Sequence, residues 1–282
     1  MILSEVLEYG SKILLNAGLE APLLDSKILI KNQLGLTDED LIKDLNLEIS
    51  NDVFKNFRNK IYRRESLEPI AHIIGKKDFW KSSFFVSKNS LIPRPDSETL
   101  IESLLKYISS KKEKLNFLDL GTGSGCLIIS ALQEFQNSTG KGIDISEDSI
   151  SVANSNKNLI VNKSRLSFEV NDFCNLDTSS YDIIISNPPY VCIKEKNIMS
   201  EEVVRYEPSL ALFPPNYSEY FYEKIINNVQ KTNNKECMLF LEIDYRKADI
   251  ISNLLKNKGF QVLGIENDLT HRPRCIVAKK FK

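Results

Sequence analysis

The stretch from Asn116 to Gly125 limits the fold more than any other feature of this 282-residue chain. An apolar run is closed by Asp119-Leu120-Gly121-Thr122-Gly123-Ser124-Gly125. Glycines at alternate positions let the backbone turn tightly and come close to a ligand, and the helix that follows starts with free N–H groups. The pattern then alternates. Strands are expected at Asn116–Leu120, Gly142–Ile145, Leu166–Val170, Tyr181–Ser186 and Met238–Ile243. Helices are expected between them, at Ser124–Phe135, Glu147 to about Asn158, Ser218–Val229 and Arg246–Lys258, with a long loop after Ser186. Such alternation predicts an α/β fold with a parallel, doubly wound sheet. Two last strands, Gln261–Ile265 and Cys275–Lys279, have no helix between them and predict an antiparallel edge.

The chain ahead of this region reads differently. Residues 1 to 75 carry apolar positions at helical spacing, as at Ile2, Leu3, Val6, Leu7, Ile13 and Leu14. A second segment, Leu23–Leu34, ends at Gly35, and Asp38–Leu47 and Ser50–Glu65 follow, with Ser50 as a helix cap. Residues 76–95 are aromatic-rich and strand-like around Asp78–Val86, and Ile92-Pro93-Arg94-Pro95 cannot lie inside a helix. Asp96 is expected to cap a helix running to about Ile108. The expected organisation is a helical domain at 1–75, a connector at 76–95 and an α/β domain at 96–282.

Composition narrows the function. Net charge is −1, so the basic excess that phosphate neutralisation requires of a duplex-binding protein is absent, and nucleic acid is not expected as the main partner. No apolar run approaches the ~18–20 residues that span a bilayer. Nor does the start have the basic-then-apolar form of a signal peptide. Five scattered cysteines with no CxxC pair, and only two histidines, argue against a metal site and for reduced thiols. A cytoplasmic protein is expected, without membrane partner and, by default, monomeric.

Four groups of residues point to chemistry. The glycine turn is shared by nucleotide binders of many kinds, but its spacing is GxGxG rather than GxGxxG. Asp119 would repel a phosphate and suits a ligand with an amino group, such as the methionine part of S-adenosyl-L-methionine. Asp144, in Gly142-Ile143-Asp144-Ile145, ends the second strand and can accept both hydroxyls of a ribose. Asp172-Phe173, after the third strand, can hold an adenine amino group and flank its ring. Asn187-Pro188-Pro189-Tyr190 follows the strand Ile183-Ile184-Ile185-Ser186. Two prolines make its turn rigid, at the strand end where open α/β sheets bind ligands. The Asn187 side-chain oxygen and the Pro188 carbonyl can accept both hydrogens of an –NH2 group, and Tyr190 offers a flat face to a planar amide or base. Paired acceptors oppose delocalisation of the nitrogen lone pair, so methyl transfer to an amide or amino nitrogen is the chemistry that fits.

These residues, in this order, resemble the release-factor glutamine methyltransferase family (HemK/PrmC). The resemblance runs through Pro69–Gly75, Phe79-Trp80, Leu91-Ile92-Pro93-Arg94-Pro95-Asp96-Ser97-Glu98, the glycine turn and Asn187–Tyr190. It continues through Tyr206-Glu207-Pro208, Ala211-Leu212 and Asp268-Leu269 to Arg274. It implies a class I, Rossmann-like methyltransferase domain behind a small helical domain that docks the release factor. The substrate implied is the glutamine of a Gly-Gly-Gln loop, methylated on its side-chain amide nitrogen. Carried over, Asn187, Pro188 and Tyr190 become the catalytic residues, and Pro189 and Arg94 join them in holding substrate. The cofactor, S-adenosyl-L-methionine, leaving as S-adenosyl-L-homocysteine, is assigned to Asp119, Gly121, Thr122, Gly123, Gly125, Asp144, Ile145, Asp172, Phe173 and Asn187. The chain departs from the family at Phe213–Tyr217, at Glu242-Ile243-Asp244, and at Asp268–His271, which lacks a usual glycine. A glutamine methyltransferase for a ribosomal protein, a DNA or RNA amino methyltransferase, and a binding module without catalysis remain as alternatives.

Overall fold

The computed structural model describes residues 1–160, 162–232 and 236–281. In chain order the first elements are helices α1 (Leu3–Asn16), α2 (Pro22–Leu34), α3 (Asp38–Lys43), α4 (Asn51–Glu65) and α5 (Ile70–Ile74). A hairpin of β1 (Lys76–Phe79) and β2 (Ser82–Phe85) follows, then α6 (Glu98–Tyr107), β3 (Asn116–Leu120), α7 (Cys126–Glu134), β4 (Thr139–Asp144) and α8 (Glu147–Asn156). Next come β5 (Leu166–Val170), β6 (Ile183–Ser186), α9 (Glu201–Tyr206), α10 (Ser209–Leu212) and α11 (Tyr220–Thr232). The last are β7 (Cys237–Glu242), α12 (Ala248–Asn257), β8 (Phe260–Asn267) and β9 (Pro273–Lys280). The chain forms two compact units, one of Met1–Lys76 with Ser200–Tyr206, the other of Lys77–Met199 with Glu207–Lys282.

The first unit is built on the apolar faces of α1, α2 and α4. Leu3, Val6, Leu14, Leu29, Ile30, Phe57 and Ile61 are fully buried there. Gly10 permits this packing, since a Cβ on it would come 2.8 Å from the Phe57 ring. Gly35, at φ 68°, ends α2, and the Ser50 hydroxyl accepts the Val53 N–H at the start of α4. Helix α3 stops at Lys43, short of the expected Leu47, because Leu45 and Leu47 turn their carbonyls to Ser4 N and Leu3 N. The unit recruits α9 through polar contacts. Arg64, little exposed, donates to Asp25 and Glu202, each at 2.7 Å, and the Tyr206 hydroxyl donates to the Ser66 carbonyl.

In the second unit a seven-stranded sheet has the order β5-β4-β3-β6-β7-β9-β8. The pairs from β5 to β7 are parallel, and β9 runs antiparallel to both β7 and β8. Alternation along each strand divides the core between two faces. Phe117, Ile183, Ile185 and Phe240 pack with α6 and α7 on one, while Leu118, Ile184, Leu239 and Leu241 pack with α11 and α12 on the other. The strand order reverses between β4 and β6 on either side of β3, so the carboxyl ends of β3 and β6 lie together with Leu120 opposite Ser186. The Ser186 hydroxyl donates to the Leu120 carbonyl at 2.7 Å, which ties the two strand ends. A ligand crevice belongs at such a reversal.

Several local expectations are corrected. Asp96 caps no helix: Pro95–Ser97 form a 3-10 turn before α6, and the Asp96 carboxylate instead meets Arg274 at 3.0 Å. Helix α7 starts at Cys126 rather than Ser124, because Gly125 before it has φ 80°. The strand-like run around Asp78–Val86 is a hairpin that reverses at Trp80, φ 54°, and the Trp80 N–H groups donate to Glu98 and Glu134. The loop after β6 holds a 3-10 turn at Ile193–Ile198 and two short helices, α9 and α10. Among the described residues no helix is long and apolar enough to cross a membrane.

Candidate active site

Between the glycine turn and Asn187 lies a cavity lined by Pro93, Arg94, Ser97, Gly121, Thr122, Gly123 and Asn187 among others. The sheet positions both walls, since the turn leaves β3 and Asn187 leaves β6 at neighbouring strand ends. Gly121 and Gly123 have φ of 73° and 53°, and a Cβ built on either would meet nothing within 4 Å, so both face open space. The turn folds back on β4, where Gly121 N and Thr122 N donate to the Ile143 carbonyl at 2.9 and 2.8 Å.

Asp144 supports the turn from β4. Its Oδ2 accepts the Gly123 N–H at 2.9 Å and its Oδ1 accepts the Ser146 N–H at 3.0 Å. Burial raises its pKa, while these backbone N–H groups work in the opposite direction. Each carboxylate oxygen keeps a further lone pair for a ligand. Ile145 beside it is 67% exposed, unusual for a large apolar side chain next to a strand end.

Asp119 lies beneath the turn rather than in the opening. It is fully buried, its Oδ2 accepts the Thr122 hydroxyl at 2.6 Å, and its Oδ1 has no partner of good hydrogen-bond geometry, although the Ile128 N–H lies near enough to the carboxylate to favour its ionised form. Burial pushes its pKa up to about 7, Thr122 opposes that shift, and the negative charge of Asp144 adds to it. An unpartnered buried oxygen beside an open glycine cradle fits a ligand bearing an ammonium group. Cys126, in the same wall, has its thiol pushed up to about 12 by burial and stays protonated.

Close packing between β4, β5 and the turn makes Gly142 sensitive. A Cβ there would stand 2.6 Å from both the Phe168 ring and the Thr122 hydroxyl. Gly142→Ala is therefore expected to cost roughly 1–3 kcal/mol, read as a lower denaturant midpoint, and to weaken cofactor binding by displacing Thr122. A wild-type midpoint with wild-type binding would contradict that packing.

On the other wall, Pro188 is buried and Asn187, Pro189 and Tyr190 are half-buried. Asn187 Nδ2 donates to the Ser97 hydroxyl at 3.2 Å. The Tyr190 hydroxyl donates to Glu242 Oε1 at 3.1 Å. Burial and the Glu242 charge push the Tyr190 phenol well above its ordinary range, so it remains a neutral donor. Asp172, exposed, accepts the Cys174 N–H at 2.9 Å, and the half-buried Phe173 packs edge-on against Phe221 with ring centres 5.4 Å apart.

Arg94 reaches the cavity wall, yet its guanidinium is paired with Glu207, whose other oxygen accepts the Ile92 N–H at 3.1 Å. Arg205, on α9, forms an exposed pair with Glu201 at 3.3 Å. The residues that sequence reasoning left without a role are Ser97, Glu242 and Glu207. Ser97 and Glu207 lie in segments that carry the family resemblance, and Glu242 closes the apolar strand β7, but nothing in their local pattern gives them a role. A second hollow, lined by Lys81, Lys111, Gln133 and Arg165 among others, lies at the far end of α7. Its cations are engaged: both lysines pair with Glu134, and Arg165 donates to three main-chain carbonyls.

Comparison with known proteins agrees with this geometry. Residues 5–75 match the PrmC N-terminal domain and residues 111–262 match a methyltransferase domain. The release factor glutamine methyltransferase of Francisella tularensis is 33% identical over 257 residues, covering 90% of this chain and 89% of that protein. A bifunctional methyltransferase of Rickettsia bellii is 33% identical over 97% of this chain, but the match covers 54% of its own length. The chain thus spans about half the length of such bifunctional relatives. A methyltransferase from Pyrococcus furiosus superposes with a TM-score of 0.51 over 81% of this chain and all of its own, at 16% identity, and shares the fold. The cofactor of the methyltransferase domain is S-adenosyl-L-methionine, and the open glycines, Asp144 and the unpartnered Asp119 oxygen fit it. By its two matched domains and its identity along nearly the whole Francisella protein, the chain belongs to the release factor glutamine methyltransferase family.

Proposed function

We propose that this protein methylates the side-chain amide nitrogen of the glutamine in the Gly-Gly-Gln motif of peptide chain release factors. The observation that carries the reading is the placement of Asn187-Pro188 at the carboxyl end of β6, across one cavity from the glycine turn. In this reading Asn187 Oδ1 and the Pro188 carbonyl accept the two hydrogens of the glutamine amide. Held by both, the amide nitrogen has its lone pair turned toward the cofactor side of the cavity. Tyr190, anchored on Glu242, lays its ring against the amide plane. Arg94 shapes the entrance from its pairing with Glu207. The chemistry that S-adenosyl-L-methionine supplies is an electrophilic methyl group on a sulfonium.

The remaining residues hold the cofactor. Gly121, Thr122, Gly123 and Gly125 let the backbone approach the methionine portion, and Asp144 accepts the ribose hydroxyls. Ile145 and Phe173 bracket the adenine, with Asp172 at its amino group. The first unit, residues 1–75 in the sequence reading, docks the release factor. Transfer of labelled methyl to a release factor, but not to its Gln→Glu motif variant, tests the assignment. Equal labelling of both would refute it.

Asp119 gives the reading a pH signature. An ammonium beside a carboxylate of pKa about 7 favours the ionised form, so binding lowers that pKa and releases a proton. Cofactor affinity should therefore rise as pH goes from about 6 to about 8, and Asp119→Asn should flatten the rise. Calorimetry in two buffers of different ionisation enthalpy measures the released proton. Wild-type binding with no proton release at pH 7 would exclude Asp119 from the ammonium site.

A further inference from the structure

Behind the proposed catalytic turn, two hydrogen-bonded pairs from distant parts of the chain lie side by side: Asn187 with Ser97, and Tyr190 with Glu242. Ser97 is 3% exposed and sits on the turn before α6; Glu242 is 2% exposed and ends β7. Asn187 Nδ2 donates to the Ser97 oxygen, and the Tyr190 hydroxyl donates to Glu242 Oε1. The other Glu242 oxygen, Oε2, is buried with no partner of good hydrogen-bond geometry. Burial raises the Glu242 pKa; against it, the nearby Ser97 hydroxyl and Arg274, itself held by Asp268 and Asp96, favour the ionised form.

The direction of these bonds matters for Asn187. A serine hydroxyl has one proton to give, and here the carboxylate is the strongest acceptor near it. With that proton drawn toward Glu242, the serine oxygen is left to accept, and it is the amide nitrogen of Asn187 that faces it. The Asn187 oxygen must then point the other way. A reversed carboxamide would set two donors against each other at the substrate, its own –NH2 against the –NH2 of the glutamine. A bare asparagine has no such preference, because its two ends are nearly the same size.

We propose that Ser97, oriented by Glu242, is a positioning residue that locks the Asn187 carboxamide with Oδ1 toward the acceptor nitrogen. The proposal rests on the reading that Asn187 meets that nitrogen. Ser97→Ala should lower kcat ~10-fold, the effect of one lost orienting hydrogen bond, with KM for cofactor and melting temperature near wild type. Ser97→Thr keeps the hydroxyl and should recover most of the rate. In an Asn187→Ala background, Ser97→Ala should cost nothing more, since the group it positions is gone. Fully additive losses, or equal losses from alanine and threonine at unchanged stability, would overturn the proposal. A nitrogen NMR spectrum gives a reading free of activity. The Asn187 side-chain amide, identified by its loss in Asn187→Ala, should shift in Ser97→Ala and stay near its place in Ser97→Thr. No shift in Ser97→Ala overturns the proposal even if release factor proves not to be the substrate. Absence of wild-type methyl transfer to release factor, with the shift observed, counts against the substrate reading alone.

Discussion

Replacing Asn187 with alanine is expected to reduce turnover by ~10²-fold or more while the cofactor still binds. The expectation follows from where the side chain sits. It leaves the end of β6, tied back to Ser97, and stands beside the rigid Pro188 carbonyl. A loss of that size corresponds to ~2.7 kcal/mol of transition-state stabilisation. It should appear in kcat rather than in the KM for cofactor, because the proposed cofactor supports follow β3 and β4. Single-turnover methyl transfer, measured beside calorimetric cofactor binding, separates the two. Turnover within a fewfold of wild type would remove Asn187 from the chemistry.

Asp144→Ala is expected to fail in the opposite way. The carboxylate holds the Gly123 and Ser146 N–H groups, so its loss frees the turn and, in the proposed reading, also removes the acceptor for the ribose. Hydrogen bonds to a charged group contribute ~1.5–3 kcal/mol each, so cofactor affinity should drop ~10–100-fold for each ribose bond lost. Turnover at saturating cofactor should fall much less. Asp144→Asn keeps one acceptor and should be intermediate. Calorimetric titration gives the answer directly, and wild-type affinity in Asp144→Ala would take the residue out of the site.

Elements that carry their own signal were legible in the sequence. β3 and β5 lie where the apolar runs place them, Gly35 and Ser50 bound their helices, and the last two strands pair antiparallel. The glycine turn and Asn187 could be linked as well, because parallel-sheet topology alone brings strand ends together. What stayed hidden depends on contacts made at a distance. Ser97 meets Asn187 across 90 residues, and Tyr190 meets Glu242 across 52. No local pattern marks either pair. Asp96 looked like a cap because its neighbours suit one, yet Arg274, far along the chain, draws its carboxylate away. Helices α9 and α10 span six and four residues, too short for periodicity to reveal. Asp119 was legible as an acid before the turn, but not as a buried one, since burial is a property of the packed sheet.

The most direct test of the central claim is mass spectrometry of an unmethylated release factor incubated with this protein and S-adenosyl-L-methionine, with DNA and ribosomal protein run in parallel. A mass gain of one methyl group, located on the glutamine of the Gly-Gly-Gln peptide, is the predicted result. No gain there, with methyl on DNA or on a ribosomal protein instead, would contradict it.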